Sequence, residues 1–327
     1  MRTRSLAHSL TAGLMALAAA GTAGAQDKDI SIVLVPGLTT DAFYITMNKG
    51  AQAAAEALGI EVDFQGAEDF NPTLQIPVLE AVVARQPDAI LIAPTDTVQL
   101  IDPLRRAADN GVAIITVDTF IDDGRYQDGA GDGDFPFAYI ASDNVAGGRM
   151  AASAMAEAMG GSGSVYVSNV RPGISTTDQR EEGFKAEMAE KFPDIQVLDT
   201  QYNENDASTA ASQLQAVLAR DPDLGGVFGA NLFSALGAAN GVDSADKSDA
   251  ITVVAFDAPT SIVEQLESGL VDMAIAQHPA EIGYYGVMSA YAHLTGNSVP
   301  PMIGTGFTVI TADNVDDEAV ARFIYSN

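Results

Sequence analysis

The sequence predicts an α/β protein of two lobes, each a parallel sheet flanked by helices. Three observations carry that reading. From Ile30 onward, short β-rich runs alternate with alanine-rich helical patterns, the signature of βαβ units. The runs are ten in number, at 30–35, 60–64, 89–93, 112–117, 137–141, 164–168, 195–200, 225–229, 251–256 and 271–276. One sheet of ten strands would be unusually wide, so two sets of five are expected, parting near residues 138–149.

Taken in order, the first 25 residues stand outside this pattern. Arg2 and Arg4 are followed by the apolar stretch "LTAGLMALAAAGTA" and then by Ala23-Gly24-Ala25. This is the layout of a secretory signal peptide, with cleavage expected before Gln26. A buried amphipathic helix or a membrane anchor is the alternative, but the apolar run is shorter than the roughly 20 residues a span needs. The first strand, "ISIVLV", runs into "PGLTTDAFY". A phosphate-binding turn there would be glycine-rich; this one offers a single glycine, an acid and two adjacent aromatics. Helical patterns follow as "MNKGAQAAAEALG", "TLQIPVLEAVVARQ" and "TVQLIDPLRRAADNG" in the first half, and "STAASQLQAVLARD" in the second. Between the halves, residues 122–137, "DDGRYQDGAGDGDFPF", read as an extended surface loop. Its acids do not match the spacing of a calcium loop.

Ligands of doubly wound sheets bind outside the carboxyl ends of the strands. The residues placed there are Asp41, Phe43 and Tyr44 after the first strand, Asp118 and Thr119 after "AIITV", and Asp178 beyond "VYVSN". Asn231 follows "GGVFGAN", Asp257 ends "TVVAFD" and Gln277 ends "VDMAIAQ". Carboxylates accept O–H donors, carboxamides donate and accept, and rings supply apolar faces, so the set suits a hydroxyl-rich ligand. Asn231 and Asp257 could instead be helix N-caps, and the two aromatics ordinary packing.

The segments "AFYITMNKGAQAAAEALG", "AILIAPTDT", "GVAIITVDT", "IASDNVAGGRMAA", "REEGFKAEM", "VVAFDAP" and "IAQHPAEIGYYGV" occur in an order and spacing that resembles the ribose-binding-protein-like, type I periplasmic solute-binding proteins of sugar ABC importers. The resemblance runs from about residue 29 to about 310. It implies two Rossmann-like lobes joined by three crossing segments, with the ligand cleft between them. The implied lobes are 26–142 with about 278–306, and 143–277 with about 307–327. It also implies a polar contact at Asp41, a ring pair at Phe43 and Tyr44, an acid at Asp118, and matches at Asn231, Asp257 and Gln277. A family phenylalanine falls near Asn205. Two arginines of the ribose binders fall on Thr119 and Asp178, so both sugar-contacting arginines are expected to be missing. A sugar, sugar alcohol or cyclitol other than ribose is therefore expected, held by four carboxylates.

Charge and composition exclude other classes. The chain has 16 basic and 44 acidic residues, a net charge of −28, and becomes −30 once Arg2 and Arg4 leave with the leader. Such a surface repels nucleic acid, which needs clustered Lys/Arg. With zero cysteines there is no disulfide, thiolate metal site or cysteine nucleophile. No G-x-S-x-G elbow, H-E-x-x-H pair or P-loop occurs, and the sequence calls for no metal, no cofactor and no catalytic residue. The expectation is a monomeric, exported, non-enzymatic periplasmic protein that hands a small sugar or polyol to an inner-membrane ABC permease. A chemoreceptor-feeding sensor and, more remotely, a glycosidase are the alternatives. A repressor of the lactose type would begin with a basic DNA-binding motif, where this chain has the leader.

Overall fold

The computed structural model describes residues 30–122 and 135–325. The predicted leader at 1–25 and residues 123–134 of the predicted loop lie outside the described residues. In the first lobe the chain runs β1 (Ser31–Val35), α1 (Ala42–Leu58), β2 (Glu61–Phe64), α2 (Pro72–Val83), β3 (Ala89–Ile92), α3 (Ile101–Asp109), β4 (Ala113–Val117) and β5 (Ala138–Ser142). The second lobe takes up α4 (Asn144–Ala158), β6 (Gly163–Asn169), α5 (Ser175–Lys191), β7 (Ile195–Val197), β8 (Gln201–Tyr202), α6 (Ala207–Arg220) and β9 (Gly226–Gly229). It continues through α7 (Leu232–Ser244), β10 (Thr252–Phe256), α8 (Thr260–Glu267) and β11 (Met273–Gln277). The chain then returns to the first lobe with α9 (Pro279–Leu294) and β12 (Met302–Thr305), and ends with β13 (Phe307–Ile310) and α10 (Glu318–Ala321).

The first sheet has the order β12-β5-β4-β3-β1-β2 and is parallel throughout. The second runs β13-β11-β10-β9-β6-β7, with β8 beside β6 and only β13 antiparallel. All ten predicted strand regions carry strands, and the region at 195–200 resolves into β7 and the short β8 just beyond it. The sequence reading missed β12 and β13. They are four residues each and separated by Gly306 alone, so neither shows a run long enough to stand out. There the chain steps from one sheet into the other, as it also does after β5 and after β11.

Both faces of each sheet are covered, which is why the central strands read as unbroken apolar runs. In the first lobe Met47, Ala51 and Ala54 of α1 and Ile282 and Val287 of α9 cover one face, with Leu79, Val82 and Leu104 on the other. Each fully buried Leu, Ile or Val side chain contributes about 1.5–3 kcal/mol relative to exposure. Helices in each lobe pack through glycines. A Cβ on Gly50 would run into the carbonyl of Ala280, and one on Gly283 into that of Met47, so α1 and α9 touch backbone to backbone. The second lobe repeats the device between α4 and α5, where Gly148 lies against the carbonyl of Arg180 and Gly183 against that of Val145. This contact sets the position of Arg180.

Candidate ligand-binding site

A cavity lies between the carboxyl ends of the two sheets. Eight of the ten predicted residues line it: Asp41, Phe43, Tyr44, Asp118, Asn205, Asn231, Asp257 and Gln277. Asp41 is the N-cap of α1, where one carboxylate oxygen accepts the Phe43 N–H at 2.9 Å. Asn231 likewise caps α7, accepting from the Ser234 N–H and Oγ, while its Nδ2 donates to Asn205 Oδ1 at 2.7 Å. Capping and lining coincide in both residues. Asp257 is not a cap, since Pro259 holds that place at α8.

Asp118, Asn205 and Asp257 all have positive φ, of 62°, 64° and 79°. Aspartate and asparagine tolerate this left-handed conformation better than other side chains, which explains these residue types at the strand ends. The turn aims each side chain back over the end of its sheet. Asp118 accepts the Tyr44 hydroxyl at 2.7 Å. Asp257 Oδ1 accepts both Gln277 Nε2 at 2.8 Å and the Tyr325 hydroxyl at 3.0 Å. Tyr325 in turn accepts the Gln277 N–H and packs its ring edge-on to Phe43 at 5.8 Å. Phe43 and Tyr44 meet edge to face, 5.1 Å apart and 86° from coplanar.

Two predicted residues do not reach the cavity. Thr119 is buried, but its hydroxyl donates to the Pro94 carbonyl at 2.7 Å and ties the end of β4 to the end of β3. The turn at Asp118 sends consecutive side chains in different directions. Asp178 is half-buried, and its carboxylate accepts the Gly173 N–H at 2.8 Å, bracing the loop that leads into α5. The expectation that it lines the cleft is therefore corrected. So is the expectation of a cavity without arginine, because Arg180 enters it. Its Nε donates to Asn144 Oδ1 at 2.8 Å, Nη1 donates to the Ala230 carbonyl at 2.9 Å, and the guanidinium lies over the Phe256 ring at 3.9 Å. The helical period explains the exchange. Thr177, Arg180, Phe184 and Met188 form the buried stripe of α5, and residue 178 stands off it. The apolar spacing of Phe184 and Met188 was the signal that pointed inward through Arg180. Sequence reading also missed Leu38, Phe70, Val170, Ile174 and Thr176 in the lining, and Tyr325 behind Asp257.

The cavity is acidic. Burial first, and then the neighbouring Asp257 carboxylate, push Asp41 up to about 7. Burial pushes Asp118 up to about 6, against the opposing pull of Arg180 and of the Tyr44 hydroxyl. Burial also raises the Tyr44 and Tyr325 hydroxyls well above the ordinary tyrosine range, so both remain donors. Beyond the protein's own bonds, Gln277 Oε1 and Thr177 Oγ1 are buried with no partner among the described residues. The arrangement can accept several O–H donors, offer a guanidinium to an oxygen, and pack rings against a carbon face.

Two parallel-sheet lobes sharing one polar, ring-walled cavity make up the architecture of a bilobed solute-binding protein. Residues 32–298 match the model of the periplasmic binding protein domain, and the chain belongs to that family. It is 31% identical over 286 residues to the ribose import binding protein of Escherichia coli, covering 87% of this chain and 91% of the relative. A crystal structure of an ABC transporter solute-binding protein from Agrobacterium vitis, bound with α-D-tagatopyranose, is similar at 70% identity and a TM-score of 0.89. That match covers 91% of this chain and 100% of the other. A carbohydrate-transporter solute-binding protein from Agrobacterium radiobacter, in complex with D-arabinose, is similar at 29% identity and a TM-score of 0.83, over 90% of this chain and 99% of the other. These relatives are binding proteins.

Proposed function

We propose that this chain is the exported substrate-binding protein of an ABC importer and captures one uncharged monosaccharide in ring form between its lobes. The observation that carries the reading is the unmet hydrogen-bonding capacity of the cavity. One oxygen each of Asp41, Asp118 and Asp257 remains after the protein's own bonds, together with Gln277 Oε1 and Thr177 Oγ1. A buried polar atom without a partner costs about 1–3 kcal/mol, which a hydroxyl-rich ligand recovers. Phe43 and Phe70 supply the apolar wall for the ring carbons. The tagatose carried by the relative of 70% identity favours a ketohexose pyranose within this class.

The mature protein on this reading begins at Gln26, works as a monomer in the periplasm, and presents its closed form to an inner-membrane permease. It is not an enzyme: each cavity carboxylate is already tied to a protein donor, which suits holding hydroxyls in place. The lobes divide at 142/143, 277/278 and about 306, where the chain changes sheets. Thermal-shift screening of residues 26–327 against D-tagatose, D-allose, D-arabinose and D-ribose tests the proposal. A ligand at 100 times its Kd adds about 2.7 kcal/mol, which is read as a raised Tm. If none of these sugars raises Tm, the proposal is wrong.

A further inference from the structure

Away from the cavity lining, Arg171 reaches across the cleft. It lies in the connection from β6 to α5, next to the lining residue Val170. Its Nη1 donates to the Phe70 carbonyl at 3.3 Å and its Nη2 to the Thr95 carbonyl at 3.2 Å, both in the other lobe. Both acceptors are held in place. The Thr95 N–H and hydroxyl donate to Gln75 Oε1 at 2.9 Å each, and the fully buried Gln75 donates on to Pro36 and Ala93. The Phe70 ring packs so closely on Gly37 that a Cβ there would collide with it.

The sheet order places these bonds far from the crossings. In the first sheet the strands at the crossings are β5 and β12, at one edge, whereas Phe70 and Thr95 follow β2 and β3 toward the other. In the second sheet β11 and β13 carry crossings, and β6 lies three strands beyond β11. A rotation of the lobes about the crossings therefore moves Arg171 and its acceptors apart by more than it moves residues near β5. Nearby, the Phe120 N–H also joins the lobes directly, donating to Ser175 Oγ at 3.0 Å.

We infer that Arg171 is a closure latch: it holds the closed form through two main-chain carbonyls of the opposite lobe and leaves the ligand untouched. The inference rests on the proposed closure around a ligand. A residue that changes only the closed population scales the affinity for every ligand by one factor, because apparent Kd is the intrinsic value divided by the competent fraction. A ligand contact, in contrast, changes affinities selectively.

The chain has no cysteine, so Val98→Cys with Ser208→Cys gives one label on each lobe without competing thiols. In this background, Kd for D-tagatose and D-arabinose is measured by calorimetry for the parent, Arg171→Ala, Arg171→Lys and Ser175→Ala, beside interlabel distances with and without sugar. Arg171→Ala is expected to weaken both sugars by about tenfold and by the same factor within twofold, as loss of charge-assisted bonds to carbonyls implies. Arg171→Lys is expected to restore part of the loss, and Ser175→Ala to give a smaller uniform loss. Saturating sugar is expected to bring every variant to the same short distance. A Kd for Arg171→Ala within twofold of the parent, or a loss confined to one sugar, overturns the latch. If the parent binds no sugar, the proposed function fails. The ligand-free distances then decide the latch alone: an unchanged short-distance fraction in Arg171→Ala rejects it.

Discussion

The first lobe brings Asp41, Phe43, Tyr44, Phe70 and Asp118 to the cavity, two acids among rings, whereas the second brings Arg180 among Thr177, Asn205, Asn231 and Gln277, a cation among polar groups with the single acid Asp257. Asp257 follows β10 and Gln277 ends β11, and the two are bonded to each other. Neither wall is a site by itself. The Arg180 guanidinium of the second lobe lies close enough to Asp41 and Asp118 of the first to oppose the upward push that burial gives both carboxyls. On the proposed reading, a ligand that needs groups from both walls favours the form in which the lobes are together.

Removing the cation breaks the contrast most severely. Arg180→Ala leaves three cavity carboxylates without a counter-charge and deprives Asn144 and Ala230 of their donor. Breaking such a buried charge arrangement costs about 3–5 kcal/mol, so calorimetry should show affinity falling by at least about a hundredfold. Retained affinity would mean that the acids of the first lobe do not need the second lobe's charge.

On the acidic wall the expected loss is smaller. Tyr44→Phe removes the 2.7 Å bond to Asp118 without opening a cavity, and sugar affinity should fall about tenfold, in line with about 1.5 kcal/mol for a bond to a charged group. A titration showing no change would make Tyr44 a packing residue only.

The pH response sharpens the same comparison. Asp41 titrates at about 7 in the folded protein against an ordinary 3.8, so the native state holds a proton that the unfolded chain releases. Ligand-free stability should therefore fall as pH rises from about 4 to about 7. Asp41→Asn keeps the N-cap, because asparagine caps as well as aspartate, and should flatten this decline and raise Tm at pH 7.5 by a few degrees. Parallel curves for variant and parent would show that Asp41 is not the group responsible. The smallest effect belongs to Asp178→Ala, which touches Gly173 and not the cavity; its sugar affinities should stay within about twofold of the parent. A switch of preference toward ribose would return Asp178 to the site.

Much of the fold was legible because buried parallel strands are apolar without interruption and the helices between them are rich in alanine. Seven of the eight predicted cavity residues were legible for a related reason, whereas Asn205 came only from the family resemblance. The sheet fixes where strands end, and Asp or Asn at those ends supplies both caps and left-handed turns. The misreadings arose where one or two residues of offset decide orientation. Asp178 and Arg180 are two positions apart on α5, about 200° around the helix, and only the packed stripe through Phe184 and Met188 separates inside from outside. Thr119 was misplaced by the turn at Asp118. Tyr325 stayed hidden because nothing local marks a residue near the chain end as the partner of Asp257, 68 positions earlier.

The most direct test of the account is a calorimetric titration of D-tagatose into residues 26–327 and into the Arg180→Ala variant under the same conditions. Saturable one-to-one binding by the parent and a loss of at least about a hundredfold in the variant are expected. Equal affinity in the two proteins, or no heat in the parent with any monosaccharide, would contradict it.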